Sequence, residues 1–175
     1  MLEVELKARV ADLSRVRQKL TSLHAEFEGR VLERDLYLDS PSRDFRVTDE
    51  ALRLREADGR FTLTYKGQRR GDFALKAREE LSCGLESGET MRKILLALGF
   101  SPVAEVVKSR EYFRLPEATV TLDQVEGLGD FVEIEMRDPA RTSPEDLIGL
   151  ARDLGVTGEP IHESYLELLE ALKGR

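Results

Sequence analysis

Strict alternation of apolar and charged residues recurs along this chain, and any fold it adopts must satisfy that pattern. Successive side chains of a strand point to opposite faces. Residues 2–10 therefore place Leu2, Val4, Leu6, Ala8 and Val10 on one face and Glu3, Glu5, Lys7 and Arg9 on the other. The same reading predicts strands over 31–39, 51–56, 61–66, 73–81, 106–114, 118–125 and 130–137. Helical spacing fills the gaps. A helix is expected over 12–27 behind an Asp12 cap, and another over 87–98 that stops at Gly99. A third starts at Ser143-Pro144, and the last covers about 163–172.

The charges decide between two architectures. Charged residues make up 35% of the chain, above the usual level of about 25%. Lys and Arg number 27 against 34 Asp and Glu, a net charge of −7, which argues against a general nucleic-acid binder. An antiparallel sheet can leave such a face in water. Alternatively, eight strands close into a barrel with the charged face inside and the helices covering the apolar outside. The polar face carries both signs at high density, including Arg53, Arg55, Lys66, Lys76, Arg78, Lys108 and Arg110 beside Glu33, Asp35 and Glu80. Confined charges are costly unless paired, hydrated or bound to a ligand. The expectation is an α+β fold built on a closed eight-stranded antiparallel barrel, one domain over 1–175.

The cations suit a polyanion and the carboxylates a hard divalent metal; a metal-bound triphosphate satisfies both. Glu3 and Glu5 share one strand face, as do Glu133 and Glu135, with Asp123 on the preceding strand. Taken singly, each Glu-x-Glu reads as a pair of surface acids. Two such pairs beside basic strands shift the reading toward a metal. Cys83 is the single cysteine, so no intramolecular disulfide forms, and the chain reads as cytosolic. No apolar run reaches the roughly 18 residues of a membrane span. His24, His162 and Cys83 carry no ligand pattern. Tyr37, Tyr65 and Phe113 are candidates for stacking on a base, with ordinary packing the stronger expectation for each.

Glu3-Val-Glu-Leu-Lys7 resembles the Glu-x-Glu-x-Lys signature of the CYTH superfamily, the triphosphate tunnel metalloenzymes. The segments 35–39, 51–55, 64–67, 108–110 and 122–135 follow in family order, and Ser164-Tyr-Leu-Glu-Leu-Leu169 resembles the end of its class IV adenylyl cyclase branch. The resemblance implies an eight-stranded tunnel that binds a triphosphate with Mg²⁺ or Mn²⁺. It makes Glu3, Glu5, Asp123, Glu133 and Glu135 metal ligands. Lys7, Arg53, Arg55, Lys66, Lys108 and Arg110 would hold phosphate oxygens, with Lys76 and Arg78 aligned less regularly. Glu5, Lys7 and Glu135 would stand at the reaction. The implied activity is an adenylyl cyclase converting ATP to cyclic AMP and pyrophosphate. A triphosphatase acting on inorganic or another small triphosphate is the alternative, and a non-catalytic binding module ranks third. A homodimer is also implied, while the net charge and the lack of a long apolar run point to no nucleic-acid and no membrane partner. One departure is Glu163, where branch members often carry a basic residue.

Overall fold

The computed structural model describes residues 5–69, 78–138 and 143–173. In chain order these form β1 (Glu5–Arg9), α1 (Leu13–Ser22), β2 (Glu26–Asp39), β3 (Ala51–Ala57), β4 (Arg60–Lys66), β5 (Glu80–Leu85) and α2 (Gly88–Ala97). Then come β6 (Ser101–Arg114), β7 (Ala118–Val125), β8 (Gly129–Met136), α3 (Pro144–Asp153) and α4 (Tyr165–Lys173). The strands make one antiparallel sheet in the order β1-β8-β7-β6-β2-β3-β4-β5. Among the described residues β1 and β5 are its two edges and do not pair, so the sheet is not closed into the expected barrel there.

Local chemistry fixes the helices. Asp12 accepts from the backbone N–H of Ser14 at 2.8 Å and starts α1, which buries Leu13, Val16 and Leu20. Ser143 and Asp146 cap one another at α3. Ser87 caps α2, and Gly88 behind it has no room for a side chain, since a Cβ would stand 2.3 Å from the Phe61 ring. α1 and α3 cover the apolar face of β1, β6, β7 and β8, where Leu20, Ala118, Val120 and Ile134 are fully buried. α2 covers β2 and β3 around Leu38, Leu52, Leu54 and Leu95.

Three expectations need correction. The first helix ends at Ser22 rather than reaching 27, because His24 turns the chain at φ +57°. The 14-residue strands β2 and β6 begin earlier than their alternation shows, since Glu26–Asp39 and Ser101–Arg114 pair along almost their whole length. The strand expected over 73–81 falls mostly on 70–77, outside the described residues. The observed β5 reaches Leu85 through Ser82-Cys83-Gly84, an exposed stretch without alternation that is held by backbone pairing to β4.

Nor do all the helices cover the apolar outside. Tyr37, Val106, Val125 and Phe131 alternate onto the same face as the charged residues, and α4 packs against this apolar end through Tyr165, Leu166 and Leu169. One end of the charged face is thereby covered by the last helix.

Candidate functional site

The charged faces of the strands line one cavity of about 500 Å³. Lys7, Arg53, Arg55, Lys66, Arg78, Lys108 and Arg110 all line it, as do Glu5, Glu133 and Glu135. Glu3 and Lys76 lie outside the described residues. The loop between β2 and β3 supplies one wall. It is pinned by Asp39, which accepts from the N–H of Phe45 at 2.9 Å, and by Glu50, which accepts two hydrogen bonds from Arg43 at 2.7 Å each.

Two ion clusters form the floor. In the first, Arg55 grips Asp35 through Nε at 2.6 Å and Nη2 at 2.7 Å, and reaches Glu33 at 2.9 Å. Lys108 stands 3.1 Å from Glu33, and the Tyr112 hydroxyl donates to Glu33 at 2.6 Å. Glu33 and Asp35 are each about 1% exposed. Burial alone would raise their pKa values, but the surrounding cations win. Asp35 is held down at about 2 by Arg55, Arg53 and Lys108. Glu33 also falls below its ordinary value. Tyr112 is pushed up to about 12, by burial first and then by Glu33. In the second cluster Arg110 donates to Asp123 through Nε at 2.6 Å and also pairs with Glu133. Lys7 stands 3.6 Å from Glu133, and the Tyr165 hydroxyl donates to Asp123 at 2.8 Å. Glu133 sits well below the usual carboxylate range: burial opposes this, and Arg110 and Lys7 override it.

Asp35 makes acid stability a direct readout. Its folded pKa lies below the ordinary 3.8, so its contribution is fully present above that value. It is lost as pH falls toward about 2, and integrates to about 2 kcal/mol. Urea unfolding between pH 5 and pH 2 should show this loss in the native protein, and a smaller one in Asp35→Asn.

The proposed metal ligands divide. Glu5 and Glu135 face each other as register partners across β1 and β8, and both line the cavity. Glu133 lines it too, but its carboxylate is engaged by Arg110 and Lys7. Asp123 is 0% exposed, with both oxygens taken by Arg110 and Tyr165, and does not line the cavity. Among the described residues no three carboxylates, imidazoles or thiols stand together as a ready metal cage. A hard cation needs fewer, since Mg²⁺ is commonly bound through one or two carboxylates plus substrate phosphates. Glu5 and Glu135 fit that mode.

Arg53 carries a donor that none of the described residues takes up. Among the described residues its buried Nε has no hydrogen-bond partner, and its nearest ion-pair contact, to Asp35, is 4.0 Å. A buried guanidinium N–H left without an acceptor is costly and suits an incoming phosphate oxygen. Of the aromatic candidates, Tyr37 lines the cavity. Tyr65 donates its hydroxyl to Glu50, and Phe113 is buried in the core beneath the exposed Phe27.

Sequence reasoning gave no role to Arg69 or Tyr165. Arg69 donates to Asp49 at 2.7 Å, to Glu167 at 2.6 Å and to the carbonyl of His162 at 3.0 Å. These ties fasten the C-terminal segment to the β2–β3 loop and to the residue beyond β4, with Asp49, Arg69 and Glu167 all lining the cavity. The capping pair Ser164 and Glu167 was the available signal for that segment's helix start; nothing in the sequence marked its contact with Arg69.

Among the described residues no helix is long and apolar enough to cross a membrane. The family model described as the CYTH domain matches residues 1–160. A Methanocaldococcus jannaschii protein named "Putative adenylate cyclase" is 37% identical over 173 residues, covering 96% of this chain and 98% of its own. The "Adenylate cyclase CyaB" of Aeromonas hydrophila is 28% identical, covering 96% and 88% respectively. A solved structure from Pyrococcus horikoshii superposes with a TM-score of 0.82 at 37% identity, covering 99% of each chain.

Proposed function

With the chain a member of the CYTH family, we propose that it is a metal-dependent, triphosphate-processing enzyme, a class IV-type adenylyl cyclase that converts ATP to cyclic AMP and pyrophosphate. The observation that carries this reading is the pairing of Glu5 with Glu135 in the same cavity as seven cation side chains from β1, β3, β4 and β6 and from Arg78. Enzymes of this family are metal-dependent. The Glu5–Glu135 pair is the place for Mg²⁺ or Mn²⁺, which when bound would neutralise phosphate charge and acidify a hydroxyl.

The protein's own groups do the rest. Arg53, Lys66 and Arg78 line the β3–β4 side and Lys7, Lys108 and Arg110 the β1–β6 side, so a triphosphate lies between two rows of cations. In the reaction the 3′-oxygen of ATP bonds to the α-phosphorus while the α–β bridging P–O bond breaks. Pyrophosphate leaves with the electron pair, and the hydroxyl proton passes to a carboxylate of the Glu5–Glu135 pair. Catalysis of this kind rests on positioning and charge neutralisation. The fixed ion clusters below the cations supply positioning, since Glu33, Asp35, Glu133 and Asp123 hold Arg55, Lys108 and Arg110 in place before substrate arrives.

The closed tunnel belongs to the same reading. A contact between the β1 and β5 edges would complete it. The whole of 1–175 then acts as one domain, with α4 completing the site. Its exposed free thiol, Cys83, suits a reducing cytoplasm.

A second reading, a triphosphatase, is favoured by one feature: the identified cavity groups are suited to phosphate and metal, and none forms a recognition set for a base. Purified protein offered ATP and inorganic triphosphate separately, with Mg²⁺ or Mn²⁺, separates the two. Cyclic AMP with pyrophosphate is the expected product. Phosphate released from triphosphate without cyclic AMP would replace the cyclase by the triphosphatase. Triphosphate bound without turnover would leave only a binding module.

A further inference from the structure

Tyr165 is the first residue of the last helix, yet it is about 5% exposed and reaches the cavity. Its ring centroid is 4.4 Å from the ammonium of Lys7 and 5.1 Å from that of Lys108. Its edge meets the Phe131 ring, with centroids 5.0 Å apart at 69°. The segment ahead of it is fixed on the same lysine: the N–H of Ile161 donates to the carbonyl of Lys7 at 2.7 Å, and the Lys7 ammonium donates to the carbonyl of Glu163 at 3.0 Å.

We propose that Tyr165 is a positioning residue whose ring holds the ammonium groups of Lys7 and Lys108 ready for the substrate phosphates, while its hydroxyl steadies Asp123 and, through it, Arg110. The inference rests on the triphosphate reading of the cavity and adds a residue to it.

The reason for an aromatic ring at this point is electrostatic. A carboxylate can position an ammonium, but it cancels the charge that must attract phosphate. The face of a ring attracts a cation through its quadrupole and carries no net charge of its own. The nearby carboxylates are already shared, Glu33 between Arg55 and Lys108, and Glu133 between Arg110 and Lys7. Two ammoniums drawn to one ring also repel each other, and an anion placed between them relieves that repulsion. The C-terminal segment thus contributes by holding a cation that another strand supplies, Lys7, through the Glu163 carbonyl and the Tyr165 ring.

Calorimetric titration with inorganic triphosphate and Mg²⁺ tests the proposal on native protein, Tyr165→Phe, Tyr165→Leu and Leu169→Ala. The Phe variant keeps the ring and should bind within about threefold of native, whereas the Leu variant should bind about tenfold more weakly or worse. Leu169→Ala loosens the packing of α4 but leaves the ring, and should bind like native protein. Unchanged binding by a folded Tyr165→Leu overturns the proposal. So does an equal loss in Leu169→Ala, which would assign the effect to helix docking, or an equal loss in Tyr165→Phe, which would assign it to the hydroxyl alone. Native protein that binds no triphosphate would instead overturn the reading of the cavity itself. Should Tyr165→Leu fail to fold, proton–carbon NMR of the native protein decides. The Lys7 and Lys108 ε-methylene protons should be moved upfield by the ring, and ordinary shifts for both would overturn the proposal.

Discussion

Glu5→Gln should lower turnover by at least about a hundredfold while the protein stays folded. The size follows from the position of the group. Loss of an outer-shell partner of a metal ligand costs about 10–100-fold, so loss of a direct carboxylate should exceed the upper part of that range. Gln keeps the shape of Glu and removes the charge. Glu5 is only half-buried, and among the described residues no hydrogen bond or ion pair holds it. Stability should therefore change by less than about 0.5 kcal/mol. Turnover at rising Mg²⁺ or Mn²⁺, followed beside thermal unfolding, checks both halves. Glu135→Gln should lower turnover similarly, and the double variant should lose far less than the product of the two single effects, because the register partners act as a unit. Undiminished turnover in a folded Glu5→Gln would remove Glu5 from the metal site.

The largest stability effect is expected at Arg110. This guanidinium serves Asp123 and Glu133 together, one of them with no exposure at all. Arg110→Met fills a similar volume but leaves the buried Asp123 and the partly buried Glu133 without their main counter-charge. Breaking a buried ion pair on one side costs about 3–5 kcal/mol, a large part of the 5–15 kcal/mol of a typical domain. Urea unfolding at neutral pH should show the loss, and lowering the pH should narrow the gap, because the stranded carboxylates take up protons. Arg53→Met is the informative contrast. Among the described residues Arg53 has no contact shorter than 4.0 Å to a carboxylate and an unpartnered Nε, so this change should weaken triphosphate binding with little effect on unfolding. A similar loss of stability in both variants would mean that Arg53 is as structural as Arg110.

Alternation made the sheet legible because a strand with one apolar and one charged face writes its period directly into the sequence. β7, predicted over 118–125 and observed as Ala118–Val125, shows how closely this can work. It failed where pairing, not burial, holds the strand. The exposed start of β2 and the Ser82-Cys83-Gly84 stretch of β5 have no apolar side to report. The predicted cations that fall within the described residues share the cavity because the period fixes which side they face. What alternation could not reveal is which charges spend themselves on each other. Asp123 and Glu135 look equivalent in sequence, yet register sets Asp123 beside Arg110 and Glu135 opposite Glu5. Arg69 was invisible for a related reason, since its partners Asp49 and Glu167 lie far away along the chain.

The strap formed by 161–167 touches Lys7 on the first strand and Arg69 beyond the fourth. A nascent chain emerges from the ribosome in order, so β1 must wait for β8, and the cavity must wait for the strap. Until residue 167 has left the exit tunnel, Lys7 lacks the Tyr165 ring and Arg69 lacks Glu167. Synthesis therefore completes the site only after the last helix, and a chain that stops short of it lacks the ring beside Lys7 and Lys108.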